Sequence, residues 1–323
     1  MTEPTTGPTG EPTSEPTREL TPQPLSGAPR VEREFTVQTR SQWSMVLRRF
    51  LQHKAAVLSL ALLVLIAIAA FAGASLWHYS YRDLTGDYSK PPSWKHPFGT
   101  DASGHDSFAQ VLRGAQRSLE IALFVAIAAT FIGTIAGAVA GFYGGWRDNL
   151  LMRLVDLVLT LPAIAIAAVL GHEFGGRASG WFYIALVFSA LLWAPMARVI
   201  RGVTLSLREK EFVEAARALG ASDSRIIFRH ILPNTVGPII VNLTIYVAVA
   251  ILAETALSFV GFGVRAPDVS LGNLVSNAAT AASTRPWLFY FPGLVIIMIA
   301  LTINFIGDGL RDALDPTQNR VRS

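Results

Sequence analysis

The 323-residue chain contains no cysteine, and only 15% of its residues are charged. The first absence excludes disulfides, thiolate metal sites and a cysteine nucleophile. The second excludes an ordinary soluble surface, since soluble domains carry about a quarter charged residues. Lysine is scarce: Lys54, Lys90, Lys95 and Lys210 complete the set, none in a glycine-rich setting, and no GxxxxGK[ST] string occurs. The chain therefore has no phosphate loop of its own. All six histidines (His53, His78, His96, His105, His172 and His230) fall in a loop, tail or elbow. That leaves no mid-membrane base for an intramembrane serine protease. A net charge of +4 is too small to point to nucleic acid.

What the chain has in abundance is apolar length, 51% of residues. Crossing the hydrocarbon core takes roughly 20 apolar residues as helix. Runs of that length lie near 55–76, 118–142, 150–170, 181–200, 236–260 and 287–306. The first, AAVLSLALLVLIAIAAFAGASL, is uncharged and follows some fifty residues with no small-residue cleavage site, so it reads as a span rather than a cleaved signal. The expected fold is an all-α polytopic membrane protein with six transmembrane helices, which puts both termini on one side. Arginine and lysine on that side outnumber those on the other by more than two to one. By the positive-inside rule both termini are cytoplasmic.

Residues 1–34, rich in Thr, Pro, Glu and Gly, have too little apolar surface to offset their ordering entropy and read as a disordered cytoplasmic tail. Residues 35–54 lead into the first span, 55–76. Within them Trp43, Val46, Leu47, Phe50 and Leu51 recur at helical spacing, with Arg48, Arg49 and Lys54 off that stripe. This predicts an amphipathic elbow helix on the inner leaflet lipid. An extracytoplasmic segment, 77–117, follows. In it Asp101, His105 and Asp106 stand close together. They could bind a metal, but a capped amphipathic helix starting at Asp101 or Ser103 is the favoured reading. The core, 118–307, opens with Gly133, Gly137 and Gly141, a doubled GxxxG for close helix packing within the bundle or against a second subunit. Residues 308–323 are a cytoplasmic tail.

Ionisable residues inside spans are functional candidates by default. Arg153 and Asp156 are spaced to pair on one helix face. Asn242, Tyr246 and Glu254 are candidates for a translocation path, with Tyr246, Ala250 and Glu254 forming an i, i+4, i+8 row. Glu254 could meet a cationic peptide terminus or hydrogen-bond the ALSFVGFG bend. Asn304 reads as interhelical glue, and Pro162, Pro195 and Pro292 as kinks.

On the cytoplasmic side the longest internal hydrophilic segment is Arg198–Thr235, which holds the loop 201–235 with centre REKEFVEAARALGASDSRIIFRHILPN. One helix is expected over Glu209–Leu219, with Phe212, Ala215, Ala216 and Leu219 on one face. Gly220 stops it in a tight turn. Ser222 or Asp223 caps a second short helix, which Pro233 ends. Two short helices projecting from a bundle make a knob that can dock into a cleft.

The string Glu214-Ala215-Ala216, Gly220 and Leu232-Pro233 resembles the EAA loop of ATP-binding-cassette importer permeases. RRFLQHKAAV, FGTDASGHD, FRHILPN, AETALSFVGFGV and FPGLVIIMIALTINFIGDGLRDALDP are similar to the C-type permease of oligopeptide and dipeptide importers, over about Gln42 to Pro316. The resemblance implies a type I importer permease without catalytic residues, cofactor or metal of its own. It implies a path shared with a homologous B-type permease, ATPase subunits that bind ATP and Mg, and an extracytoplasmic peptide-binding protein. Glu209, Phe212, Glu214, Ala215, Ala216, Leu219, Gly220, Arg229, Leu232 and Pro233 would then form the ATPase-coupling loop. The cargo stays open between peptides and nickel or another small solute. The rival from another class, an ATP-independent secondary carrier, predicts internal inverted symmetry, and no repeat is evident.

Overall fold

A computed structural model describes residues 42–174 and 180–314. The expected tail 1–34, the start of the elbow segment and the chain beyond Leu314 lie outside the described residues. The regular structure of the described residues is helical, and the irregular 77–106 segment holds isolated bridges (Leu84 to His105, Thr100 to Asp106).

The elbow is a helix of its own. α1 (Gln42–Gln52) and α2 (Lys54–Leu76) are separated at His53, whose backbone leaves the helical region at ψ 89°. The His53 Nδ1 accepts from the Ala56 N–H at 3.2 Å, a side-chain cap that starts α2. Phe50 is buried with Ala56, Ile306 and Ala313, while Leu47 and Leu51 are exposed. In water such leucines would be costly; at a headgroup boundary they are the membrane-contacting face.

α3 (Ser107–Tyr143) is 37 residues long, about 55 Å at 1.5 Å per residue against a hydrocarbon core of about 30 Å. It therefore begins at Ser107, well before the expected 118, and part of the segment read as extracytoplasmic is its first turns. The start is set by Asp106, not by Asp101 or Ser103: the Asp106 Oδ1 accepts from the Ala109 N–H at 2.8 Å. At the other end Arg208 donates to the carbonyls of Gly141 and Phe142, a cation at the negative end of the helix dipole.

The third run is broken. α4 (Gly145–Thr160) and α5 (Ala163–Phe174) meet at Leu161-Pro162 with a bend of 75°. Leu161 is extended, as a residue before proline prefers, and Pro162 has no N–H to continue the ladder. α6 (Gly180–Arg208) and the last helix pass through Pro195 and Pro292 without such a break. Five helices are long and apolar enough to span, six with the bent pair taken as one, so the all-α, six-span architecture holds with one span bent.

The glycine stripe packs inside the bundle. A Cβ on Gly133 would sit 2.5 Å from the Met196 Cβ, on Gly137 2.4 Å from the Ala197 carbonyl oxygen, and on Gly141 2.8 Å from the Arg201 carbonyl oxygen. All three contacts are on α6. α7 (Glu211–Ala218) and α8 (Asp223–Ile226) follow, then α9 (Val236–Phe259), α10 (Leu271–Ala278) and α11 (Pro286–Leu314). Ile121, Phe188, Ile251, Leu257, Leu271 and Ile299 are enclosed where α3, α6, α9, α10 and α11 meet. Outside this core, Leu123, Ile127 and Phe131 on α3 and Tyr290, Leu294, Ile297 and Leu301 on α11 form exposed apolar stripes. Lipid tails solvate such stripes as well as a protein core does.

Candidate functional site

The knob is built by a helix stop that only glycine makes cheaply. After α7 the Gly220 N–H donates to the Arg217 carbonyl and the Ala221 N–H to the Ala216 carbonyl, both at 3.0 Å. This is the paired reverse pattern that closes helix C-termini. It requires a left-handed residue, and Gly220 sits at φ +78°. The first helix is shorter than the expected Glu209–Leu219, since Lys210 is extended and Glu209 pairs with Arg208. The second helix does not end at Pro233. It widens into a π-helical turn, Ile227–Ile231, and continues as Leu232–Asn234 to Thr235. A wider turn gives the proline ring room near the carbonyl four residues back, where an α-helical turn would clash.

Burial divides the knob into two surfaces. Val213, Ala216, Ile226, Ile227 and Ile231 are buried with Phe142, Met196, Ile200 and Tyr246, so three spanning helices form its seat. Phe212, Ala215 and Leu219 face outward, while Ala216, expected on the same face, is buried. Leu219 is 88% and Phe228 65% exposed. Glu209, Glu214, Arg229 and Pro233 are also exposed, and Leu232 is half-buried. The knob is thus an apolar-tipped, charge-fringed projection with a rigid root.

The candidate path residues face a packed interior. Tyr246, Ala250 and Glu254 are all buried along one seam of α9. Glu254 is 0% exposed, and its carboxyl oxygens accept from Ser270 Oγ at 2.6 Å, Ser258 Oγ at 2.7 Å and Ser118 Oγ at 3.2 Å. Ser270 also caps α10, and Ser118 accepts from the Leu271 N–H. Glu254 therefore ties α3, α9 and α10 into one knot rather than lining an open route, and its partners are hydroxyls rather than the backbone of the bend. Asn242 donates to the Pro238 carbonyl on its own helix. Asn304 does the same with Ala300. Asp156 pairs with Arg198 on α6 at 2.5 Å rather than with Arg153.

Comparison with known proteins decides what this architecture belongs to. The model described as binding-protein-dependent transport system inner membrane component matches residues 133–320. That of the N-terminal transmembrane domain of oligopeptide transport permease C matches residues 41–92. The oligopeptide transport system permease protein OppC of Mycobacterium tuberculosis (strain ATCC 25618 / H37Rv) is 44% identical over 285 residues, 87% of this chain and 97% of that one. The OppC of Escherichia coli (strain K12) is 43% identical over 286 residues, 87% of this chain and 93% of that one. The chain belongs to the binding-protein-dependent transport permeases. A solved inward-facing structure of the MetNI methionine ABC transporter matches this permease with TM-score 0.51 at 17% identity, over 64% of this chain and 97% of that one. That likeness speaks for the fold alone.

At the end of the permease opposite the knob, Asp101, His105 and Asp106 do not converge. His105 Nδ1 pairs with Asp101 at 2.9 Å. Asp106 instead pairs with His96 Nδ1 at 2.7 Å and accepts from Trp77 Nε1 at 3.2 Å. Among the described residues no three His, Cys, Asp or Glu side chains are grouped to hold a metal. Sequence spacing missed His96, because folding of the 77–106 segment rather than periodicity brings it to Asp106.

The 260–270 loop is pinned to α3 by Asp268. Arg113 Nε and Nη2 reach its two oxygens at 2.9 and 3.2 Å, and Arg117 Nε donates at 2.5 Å. Burial pushes the Asp268 carboxyl up, but the bonds and charge of Arg113 and then Arg117 outweigh it and hold the group below the usual carboxylate range. A lowered carboxyl pKa contributes stability that is complete above the unfolded value, about 3.9, and is lost as pH falls through the lowered folded value. Thermal stability attributable to this loop is therefore expected to be flat from pH 8 to 5 and to fall only in strong acid. Asp268→Asn is expected to cost on the order of 2 kcal/mol and to flatten that acid limb, as thermal unfolding in detergent across pH would show.

Proposed function

We propose that this permease is the C-type membrane subunit of an ATP-driven importer that brings oligopeptides into the cell. The knob carries the reading. Its tip exposes Phe212, Leu219 and Phe228, and burying such a side chain is worth about 1.5–3 kcal/mol each. Its root is fused to α3, α6 and α9. A lipid-facing explanation does not fit a tip fringed by Glu209, Glu211, Glu214 and Arg217. A groove on another protein does.

With no phosphate loop in this chain, ATP and Mg belong to partner ATPase subunits docked on the knob. Basic residues put the knob and both termini on the cytoplasmic side of the cell membrane. The opposite face then meets an extracytoplasmic peptide-binding protein, and a homologous B-type permease completes the path. Coupling requires an element whose contacts differ between two states of the ATPases. A stiff, rooted projection meets that need. The relatives named for oligopeptide transport support the cargo assignment.

The test is to purify the complex that accompanies the tagged chain and place it in lipid nanodiscs. Its ATP hydrolysis is then followed with the binding protein and, in turn, dipeptides, longer peptides and nickel. Stimulation by longer peptides is expected. Stimulation by nickel alone would reassign the cargo, and absence of any co-purifying ATPase would favour an ATP-independent carrier.

A further inference from the structure

The end of the bundle opposite the knob holds a cavity of about 270 Å³ between the start of α3, α10 and the start of α11. One wall is apolar, formed by Val111, Leu274, Leu288 and Phe291. The rest of the lining includes Ser107, Arg285 and Trp287. The Ser107 hydroxyl and the Trp287 indole nitrogen are buried and have no hydrogen-bond partner among the described residues. Buried polar atoms in that condition are uncommon and call for an explanation.

All three groups can donate. An indole N–H and a guanidinium can only donate, and a hydroxyl can donate as well as accept. Arg285 donates to Ser89 Oγ at 2.7 Å and has no carboxylate within ion-pair distance among the described residues. The one carboxylate at the rim, Asp101, is already engaged. It accepts from the Ser103 and His105 N–H groups at 2.8 and 2.9 Å, from His105 Nδ1 at 2.9 Å and from Gln110 Nε2 at 3.2 Å. The cavity is thus set up for an anionic acceptor on an apolar body, and not for an ammonium group. A second groove of about 520 Å³ adjoins it, sharing Asp101, Gln110, Val269 and Asn277 and adding Arg82, Arg265 and Asn273. Its amide side chains suit the donors and acceptors of peptide bonds.

We propose that this cavity is a subsite of the permease itself that holds the apolar C-terminal residue of a peptide, its carboxylate towards Arg285, Ser107 and Trp287. The preceding residues lie in the adjoining groove. The inference rests on the peptide-import reading above and deepens it, since it gives this chain direct contact with cargo at the outer mouth. A small apolar pocket with a few convergent polar groups is the usual form of such a site.

The experiment uses the whole complex in nanodiscs without its binding protein, and measures equilibrium binding of radiolabelled Ala-Ala-Phe and of its C-terminal amide. The free acid is expected to bind at least about tenfold tighter than the amide, because a charge-assisted bond is lost. Arg285→Gln is expected to bring the acid down to the amide while leaving the amide unchanged. Trp287→Phe, which keeps the ring and removes the donor, should weaken the acid several-fold and serves if Arg285→Gln is poorly assembled. Ala281→Trp should fill the cavity and abolish both. Equal affinity for acid and amide, no binding at millimolar peptide, or a high-resolution map showing only a water on Ser107 and Trp287 in saturating peptide would overturn the subsite. If the same preparation still hydrolyses ATP in response to peptide-loaded binding protein, the import reading survives that failure. If peptide binds directly but peptide-loaded binding protein never stimulates hydrolysis, the import reading fails and the subsite stands.

Discussion

Gly220→Val is expected to lower peptide uptake at least tenfold while leaving the permease inserted and basal ATP hydrolysis close to normal. A Cβ at Gly220 would meet nothing within 4 Å, so the effect is conformational rather than a clash. A β-branched residue held at φ +78° costs on the order of 1–2 kcal/mol or more. The turn escapes that cost by opening, which breaks the Gly220–Arg217 and Ala221–Ala216 bonds and lets α7 swing relative to α8. Phe212 and Leu219 then no longer share a surface with Phe228, and ATPase movement is dissipated before it reaches the root. Gly220→Asn is the control, since asparagine tolerates the left-handed region, and it should keep most of the uptake. Uptake and ATPase rates in proteoliposomes decide it. Normal uptake in the valine variant, or equal loss in both variants, would show that the turn does not transmit the stroke.

Much of this was legible because membrane physics leaves long marks in sequence. Six apolar runs gave the six-span architecture, the EAA-like string gave the knob, and the glycine in it gave the left-handed turn. The misses share one cause: they depend on which residues meet across elements. Asp156 could be seen to want a cation, but Arg198 on α6 outcompetes Arg153 on its own helix. Glu254 stood out as a buried acid, yet nothing local announces that Ser118 and Ser270 satisfy it. On α7 the expected face of Phe212, Ala215, Ala216 and Leu219 is split, since Ala216 turns to the core with Val213 while Phe212 and Leu219 stay exposed. Leu161-Pro162 is different. The proline read there as a kink does break the run, with a bend of 75°, because it lacks the N–H that would continue the helix.

Gly137→Leu is expected to prevent recovery of assembled permease, and Gly137→Ala alone should lower the unfolding midpoint in detergent by roughly 5 °C or more. A Cβ there would lie 2.4 Å from the Ala197 carbonyl oxygen and 2.9 Å from the Arg201 backbone nitrogen. Both are backbone atoms of α6, so no side-chain rotation relieves the contact, and the helices must separate along a seam built on small residues. Overpacking of a single methyl against flexible side chains costs about 1–3 kcal/mol, and a rigid backbone neighbour puts this case at the upper end. Gly202→Ala supplies the contrast: nothing lies within 4 Å of its Cβ, so the gain in helix propensity, up to about 1 kcal/mol, should leave stability equal or higher. Equal midpoints for the two alanine variants would mean that α3 and α6 are not in the contact described. The seam also bears on transport. α6 carries Met196 and Ile200 in the seat of the knob and Arg201, which grips Asp148 at 2.6 and 2.7 Å. A spread at Gly137 therefore displaces the root through which the tip must act, and uptake should fall further than the loss of folded protein explains.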